Sequence, residues 1–358
     1  MTIELSVGPL LTAAETFPTA LWNDSSDLDE LSQSISFGGV GATCNPVIAY
    51  TTISKHPEIW NERILEIAKA NPTWGESQIG WQAVKDMSVE AAALLKPAFE
   101  KHQGRDGRLS VQTDPRFYRD AAAWADQAEE FHKMADNIIV KIPATKTGLE
   151  AIEEATYRGV SVNVTVSFSV AQAVEAGAAI QRGLDRRAAE GLDNSVVSPV
   201  VTIMVGRLDD WLKEVVARDG IYIDPSALEW AGIATVKKAY RIFQERGYQA
   251  RLLVAAFRNV LQWSEFQGGD LVVSPPFRWQ EIINASNYEP VERMSEPVSE
   301  YYIEQLRQIP DFNRAYDVDG MTVEEFEEFG PARKTMRQFL DANGKLDALV
   351  RDLLIPAP

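Results

Sequence analysis

Lys141 is the residue best placed to do chemistry. It stands in Ile138-Ile139-Val140-Lys141-Ile142-Pro143, a run otherwise suited to a sequestered strand. An ammonium withdrawn from water loses preference for its charged form. The neutral amine is then a nucleophile toward a carbonyl and gives an iminium that acts as an electron sink. The bland alternative is a lysine snorkelling from a strand end, and the apolar flanks and following proline weigh against it. Amine catalysis next to a ketone also needs a proton shuttle. Asp24, in Trp22-Asn23-Asp24-Ser25-Ser26-Asp27, is a carboxylate at the end of a strand. Acid–base work and capping of the next helix fit it equally, and Ser25, Ser26 or Asp27 could take the capping role instead. Arg207 and Arg258 follow two successive strands, in Val205-Gly206-Arg207 and Ala256-Phe257-Arg258-Asn259. They could clamp a phosphate monoester, or lie in ordinary surface ion pairs.

The elements that must position these groups are short β-rich runs alternating with helical stretches from about residue 20 to residue 285. Strands are expected at 20–24, 39–46, 108–114, 137–144, 161–168, 200–206, 251–257 and 270–275. Helix formers with apolar residues at helical spacing lie between them, as at 117–135 and 169–191. The fold class is therefore α/β with a parallel sheet. Eight units point to a (β/α)8 TIM barrel, and a doubly wound open sheet fits the bare alternation as well. The gap from 47 to 107 predicts two or three extra helices between strands 2 and 3, broken at Asn71-Pro72 and Gly75. A helical extension from about 286 to 358 closes a single domain, ending in an amphipathic stretch at 331–354. Two strands carry polar residues on one face: Asn163 with Thr165, and Ser110 with Gln112 and Asp114. In a barrel, whose strands are buried on both sides, such residues form either a hydrogen-bonded network or a site.

Composition narrows the classes. Thirty-five Lys and Arg against 52 Asp and Glu give a net charge of −17, which repels nucleic acid and anionic membranes. An anionic small substrate would therefore need its own arginines. One cysteine, Cys44, forbids an internal disulfide and fits a reducing compartment. The opening MTIELSVGPLL has no signal-peptide pattern, and no run approaches 18 apolar residues, so a soluble, cytoplasmic chain is expected. The three histidines (His56, His102, His132) lack metal-ligand spacing, so neither a metal nor another cofactor is expected. Gly38-Gly39-Val40-Gly41 is a misplaced dinucleotide motif, and Glu324–Glu328 reads as a solvated helix face.

With these residues in view, the sequence resembles the transaldolase family. Thr43-Cys44-Asn45-Pro46 is similar to its strand-2 motif, Ile139–Thr145 to its Schiff-base lysine segment, and Asn163–Ser169 to the Asn-x-Thr strand that follows. Val205-Gly206-Arg207 and Phe257-Arg258-Asn259 resemble its phosphate-binding arginines, and Asp24–Asp27 its acid–base segment. The resemblance implies a class I aldolase-type barrel of the pentose phosphate pathway. Such an enzyme moves a dihydroxyacetone unit from a ketose phosphate to an aldose phosphate through a Lys141 Schiff base. It implies Asp24 as acid–base residue, Thr165 and Gln112 beside a catalytic water, and Thr43, Asn45, Asn163, Thr202, Arg207 and Arg258 as substrate contacts. Gln112 stands where standard transaldolases carry glutamate, and fructose 6-phosphate aldolases, which release dihydroxyacetone, carry glutamine there. Thr202, Met204 and Ala256 also depart from the usual residues. The expected partners are sugar phosphates, and the expected assembly a monomer or homodimer.

Overall fold

Strand–helix alternation becomes a barrel only if the first and last strands of the sheet find each other. A computed structural model describes residues 3–357 of the chain. Its strands are β1 (Ala20–Leu21), β2 (Gly41–Thr43), β3 (Arg108–Gln112), β4 (Ile138–Pro143), β5 (Val162–Thr165), β6 (Val200–Met204), β7 (Arg251–Ala255) and β8 (Val272–Ser274). All pairings are parallel, in the order β1-β8-β7-β6-β5-β4-β3-β2. A parallel bridge between Asn23 and Ala42 joins the two ends. There Asn23 N–H donates to Gly41 O and Thr43 N–H to Asn23 O, both at 2.8 Å. That bridge excludes the open-sheet alternative. The fold is a (β/α)8 TIM barrel with a helical C-terminal segment.

Local chemistry fixes where the site-bearing strands stop. Asn45 caps the helix Pro46–Lys55, whose first residue is a proline with no N–H to satisfy. Thr145 caps Lys146–Tyr157 just after β4, and Ser169 caps Val170–Ala189 just after β5. The region between β2 and β3 folds as three helices, Pro46–Lys55, Pro57–Ala70 and Glu76–Lys101, with breaks at His56 and Asn71–Gly75. Two details differ from the sequence expectation. A helix at Pro9–Thr16 precedes the barrel. The acidic run is a single 3-10 turn, Val323–Glu325, because Phe326 is drawn into the core and interrupts any longer helix.

The barrel lumen is divided along its axis. Inward-facing Trp22, Ile139, Val200, Leu253 and Val272 form an apolar plug, each such side chain contributing about 1.5–3 kcal/mol by burial. Above it, toward the strands' C-terminal ends, the inward positions turn polar. Outward residues such as Val140, Val162 and Val254 pack in the main core. The C-terminal helix Gly330–Leu354 packs against the helices Pro46–Lys55, Glu76–Lys101 and Val205–Asp219.

The plug leaves little room for a side chain at Gly41. A Cβ there would sit 2.5 Å from the Trp22 ring. Trp22 is fully enclosed and cannot retreat. Gly41→Ala should cost about 1–3 kcal/mol by overpacking, read as a lower denaturant midpoint at unchanged slope; an unshifted midpoint would contradict this packing.

Candidate active site

Parallel pairing aligns Gln112 on β3 with Lys141 on β4, and Lys141 with Asn163 on β5. Neighbouring strands lie about 4.8 Å apart, so the three inward side chains form one row directly above Ile139. Lys141 is only 4% exposed. Burial pulls its amine below the usual lysine range. The fields of Asp24 and Cys44 oppose that shift and Arg207 adds to it, yet no carboxylate hydrogen-bonds Nζ. Such desolvation favours the neutral amine more than it would be favoured on an exposed lysine. The snorkelling alternative does not hold.

Asp24 follows β1, half-buried, and its Oδ1 accepts the Thr43 hydroxyl at 2.6 Å. The helix-capping role belongs to Asp27, whose carboxylate takes the N–H groups of Asp29 and Glu30. Asp27 also pairs with Lys55 and His56, and despite its burial these partners hold its carboxyl down at about 2. The ambiguity between the two aspartates is thereby resolved: Asp27 shapes the helix and Asp24 is left facing the lysine.

Asn163 is held from both sides. Its Nδ2 donates to Ser110 Oγ at 2.9 Å, and its Oδ1 accepts from Thr202 Oγ1 at 2.7 Å. Three inward residues on β3, β5 and β6 are thus one polar layer, with an N–H and a lone pair of Asn163 still available. Thr165 lies one turn of the pleat higher, 4.0 Å from the Met204 sulfur. Gln112 is buried, and neither its Oε1 nor its Nε2 has a partner. Such an amide costs about 1–3 kcal/mol unless something polar meets it. Asn45 spends its Oδ1 on the helix N–H groups of Val47 and Ile48, so only its Nδ2 is left to donate to a ligand. Cys44 behind it is buried, with its thiol pushed up to about 11, and is unreactive.

The two arginines meet in a separate pocket of about 110 Å³, lined by Arg207, Asp210, Arg258, Lys334, Thr335 and Gln338 among others. Arg207 opens the helix Val205–Asp219, and its Nη1 donates to Thr335 Oγ1 at 3.1 Å and Gln338 Oε1 at 2.5 Å. Burial lowers its pKa first and the charge of Arg258 further. Arg258 pairs with Asp210 at 2.8 Å. Two guanidinium groups, one braced by neutral partners and one by a carboxylate, leave positive charge facing the pocket.

Sequence reasoning missed several of these parts. Ser274 joins Ser110 on the inward face, and its Oγ is buried without a partner. Gln172 holds the strained turn after β5, where Val166 has φ +53°. It donates to the carbonyls of Ala144 and Val166 and accepts from Phe168 N–H. The S-x-x-Q spacing from Ser169 to Gln172 was its available signal. Lys334, Thr335 and Gln338 had none, because they come from a helix far along the chain.

The lysine's burial has a signed consequence. Its folded pKa lies below the unfolded value of 10.5, so between the two the unfolded chain binds more protons and stability rises with pH. Lys141→Met should therefore be more stable than the parent at neutral pH, with the difference shrinking toward about pH 10. Urea unfolding across that range checks it, and a difference that does not vary with pH would place the amine in water.

Comparison with known proteins agrees with this geometry. Residues 21–329 match the transaldolase/fructose-6-phosphate aldolase family, from within β1 to the residue before the C-terminal helix. Transaldolase 1 of Streptomyces avermitilis is 34% identical over 209 residues, covering 58% of this chain and 54% of that protein. A transaldolase of Thiobacillus denitrificans is 31% identical over 235 residues, covering 63% and 64%, and one of Mycobacterium marinum 31% over 250, covering 67% and 66%. The matched region thus spans little more than half of the first relative's length. With the family match running through all eight strands, the chain belongs to the transaldolase/fructose-6-phosphate aldolase family.

Proposed function

We propose that this protein is a transaldolase-like transferase that moves a dihydroxyacetone unit from a ketose phosphate to an aldose phosphate. The observation that carries the reading is Lys141: an amine 4% exposed, lowered in pKa by burial, in register between Gln112 and Asn163. The amine attacks the C2 carbonyl of the ketose phosphate, and loss of water gives the iminium. Asp24 takes the proton of the C4 hydroxyl as the C3–C4 bond breaks and the aldose phosphate leaves. The electron pair of that bond remains as an enamine on Lys141. Addition to a second aldose phosphate reverses the step, Asp24 returning the proton, and hydrolysis frees the new ketose. Thr43 fixes one oxygen of Asp24 and leaves the other for the proton. Asn45 and Asn163 hold the hydroxyls of the three-carbon unit, Thr165 and Gln112 hold the water, and Thr202 orients Asn163. Arg207 and Arg258 take the phosphate, which gives an anionic substrate a local positive site on an acidic protein.

A second reading rests on Gln112. Its unpartnered amide can hydrogen-bond a water and cannot take its proton. That favours a lyase, similar to fructose 6-phosphate aldolase, that releases free dihydroxyacetone. No helix among the described residues is long and apolar enough to cross a membrane, and a cytoplasmic location is part of the proposal.

Borohydride added with fructose 6-phosphate should attach a three-carbon unit to Lys141, and Lys141→Met should lose both the adduct and at least about 10³-fold in exchange rate. Carbon exchange by Lys141→Met at the parental rate would end the proposal. Assayed for free dihydroxyacetone with and without an acceptor aldehyde, Gln112→Glu should shift the balance toward transfer; an unchanged ratio removes Gln112 from the water relay.

A further inference from the structure

We infer that Asp209 and Gln262 are positioning residues that hold the two arginine-bearing turns at one separation, so that Arg207 and Arg258 grip a single anion together. The inference rests on the reading of their pocket as a phosphate site. Asp209 lies two residues beyond Arg207 on the helix Val205–Asp219, and Gln262 four beyond Arg258 in the short helix Leu261–Ser264. Both side chains are wholly buried. Gln262 Oε1 accepts the backbone N–H of Arg258 at 2.5 Å, and its Nε2 donates to Asp209 Oδ2 at 2.6 Å. Asp209 Oδ1 accepts the N–H of Gly232 at 2.9 Å.

Backbone N–H groups stand at both ends of this chain, and the Gln262 amide between them presents its oxygen to Arg258 and its N–H to Asp209. Asp209 has no cationic partner, and burial pushes its carboxyl up to about 8 against the pull of the Gly232 N–H. A buried acid without a counter-ion is costly on stability grounds, so its presence calls for a use. What it links is the helix carrying one arginine and the turn carrying the other.

The same two turns also touch through backbone. A Cβ at Gly206 would lie 2.1 Å from the carbonyl oxygen of Ala256. Ala256 itself is held at φ +64°, a costly conformation for a residue with a side chain. Arg258 then folds its Nη1 back onto the carbonyls of Ala256 and Phe257, both at 3.0 Å. The guanidinium is thus referenced to a strained turn, and that turn to the helix of Arg207 by the Asp209–Gln262 chain.

The test uses the full chain and inorganic phosphate, with binding measured by calorimetry. Gln262→Leu, and separately Asp209→Leu, should weaken phosphate binding by roughly tenfold or more, the order expected when a clamp is misplaced by a fraction of an ångström. Gly41→Ala, which destabilises the barrel away from the pocket, should bind phosphate like the parent. In turnover the loss should show in KM for fructose 6-phosphate more than in kcat. Parental phosphate affinity in Gln262→Leu, or equal weakening in Gly41→Ala, overturns the inference. A parent that does not bind phosphate overturns it as well. Binding is read without turnover, so a protein that binds phosphate through this relay and exchanges no carbon would refute only the proposed reaction.

Discussion

An amine can be kept out of water only if its surroundings gain more from enclosure than they lose by desolvating it, and the architecture of this barrel follows from that requirement. Ile139 directly beneath Lys141, and Val140 and Ile142 on the opposite face of the same strand, are pinned between the lumen plug and the main core. Lys141 cannot reach solvent without disturbing both. Its neighbours in register are the amides Gln112 and Asn163, which carry no charge to favour an ammonium. Asp24 is near enough to act through its field and is tied to Thr43 instead of to the lysine. A direct ion pair would have favoured the ammonium. The placing of Thr43 therefore bears on the lysine as well as on the carboxylate.

Charge is partitioned on a larger scale by the same logic. A chain with net charge −17 repels phosphates at long range. The arginine pocket compensates only locally, and it does so with neutral braces on Arg207, so that the guanidinium is oriented without being neutralised. Asp210 on Arg258 is the exception, an ion pair that partly offsets the second guanidinium.

Much of this was legible in the sequence. All eight strands fall within the runs expected, because each keeps apolar residues on at least one buried face. Lys141 stood out for the same reason: it violates such a run. The alternation of Asn163 with Val162 and Val164 marked it as inward-facing. What could not be read was anything that depends on which remote segments meet. The capping competition between Asp24 and Asp27 is decided by Lys55 and His56, which lie beyond the next helix. The acidic run does not extend a helix because Phe326 is needed in the core. Gln262 looked like any polar residue in a short helix, since its function is a bond to Asp209, 53 residues earlier.

The C-terminal helix shows how far that dependence reaches. It touches the arginine pocket through Thr335 and Gln338, at sequence separations of 128 and 131 from Arg207, and it touches the turn after β3 through Asn343 on Asp114, at a separation of 229. Contacts so distant along the chain carry a large loop-closure entropy. All eight strands end by Ser274, so during biosynthesis they and Lys141 are made before the segment that braces Arg207. The buried lysine is synthesised first, and the brace on the arginine last.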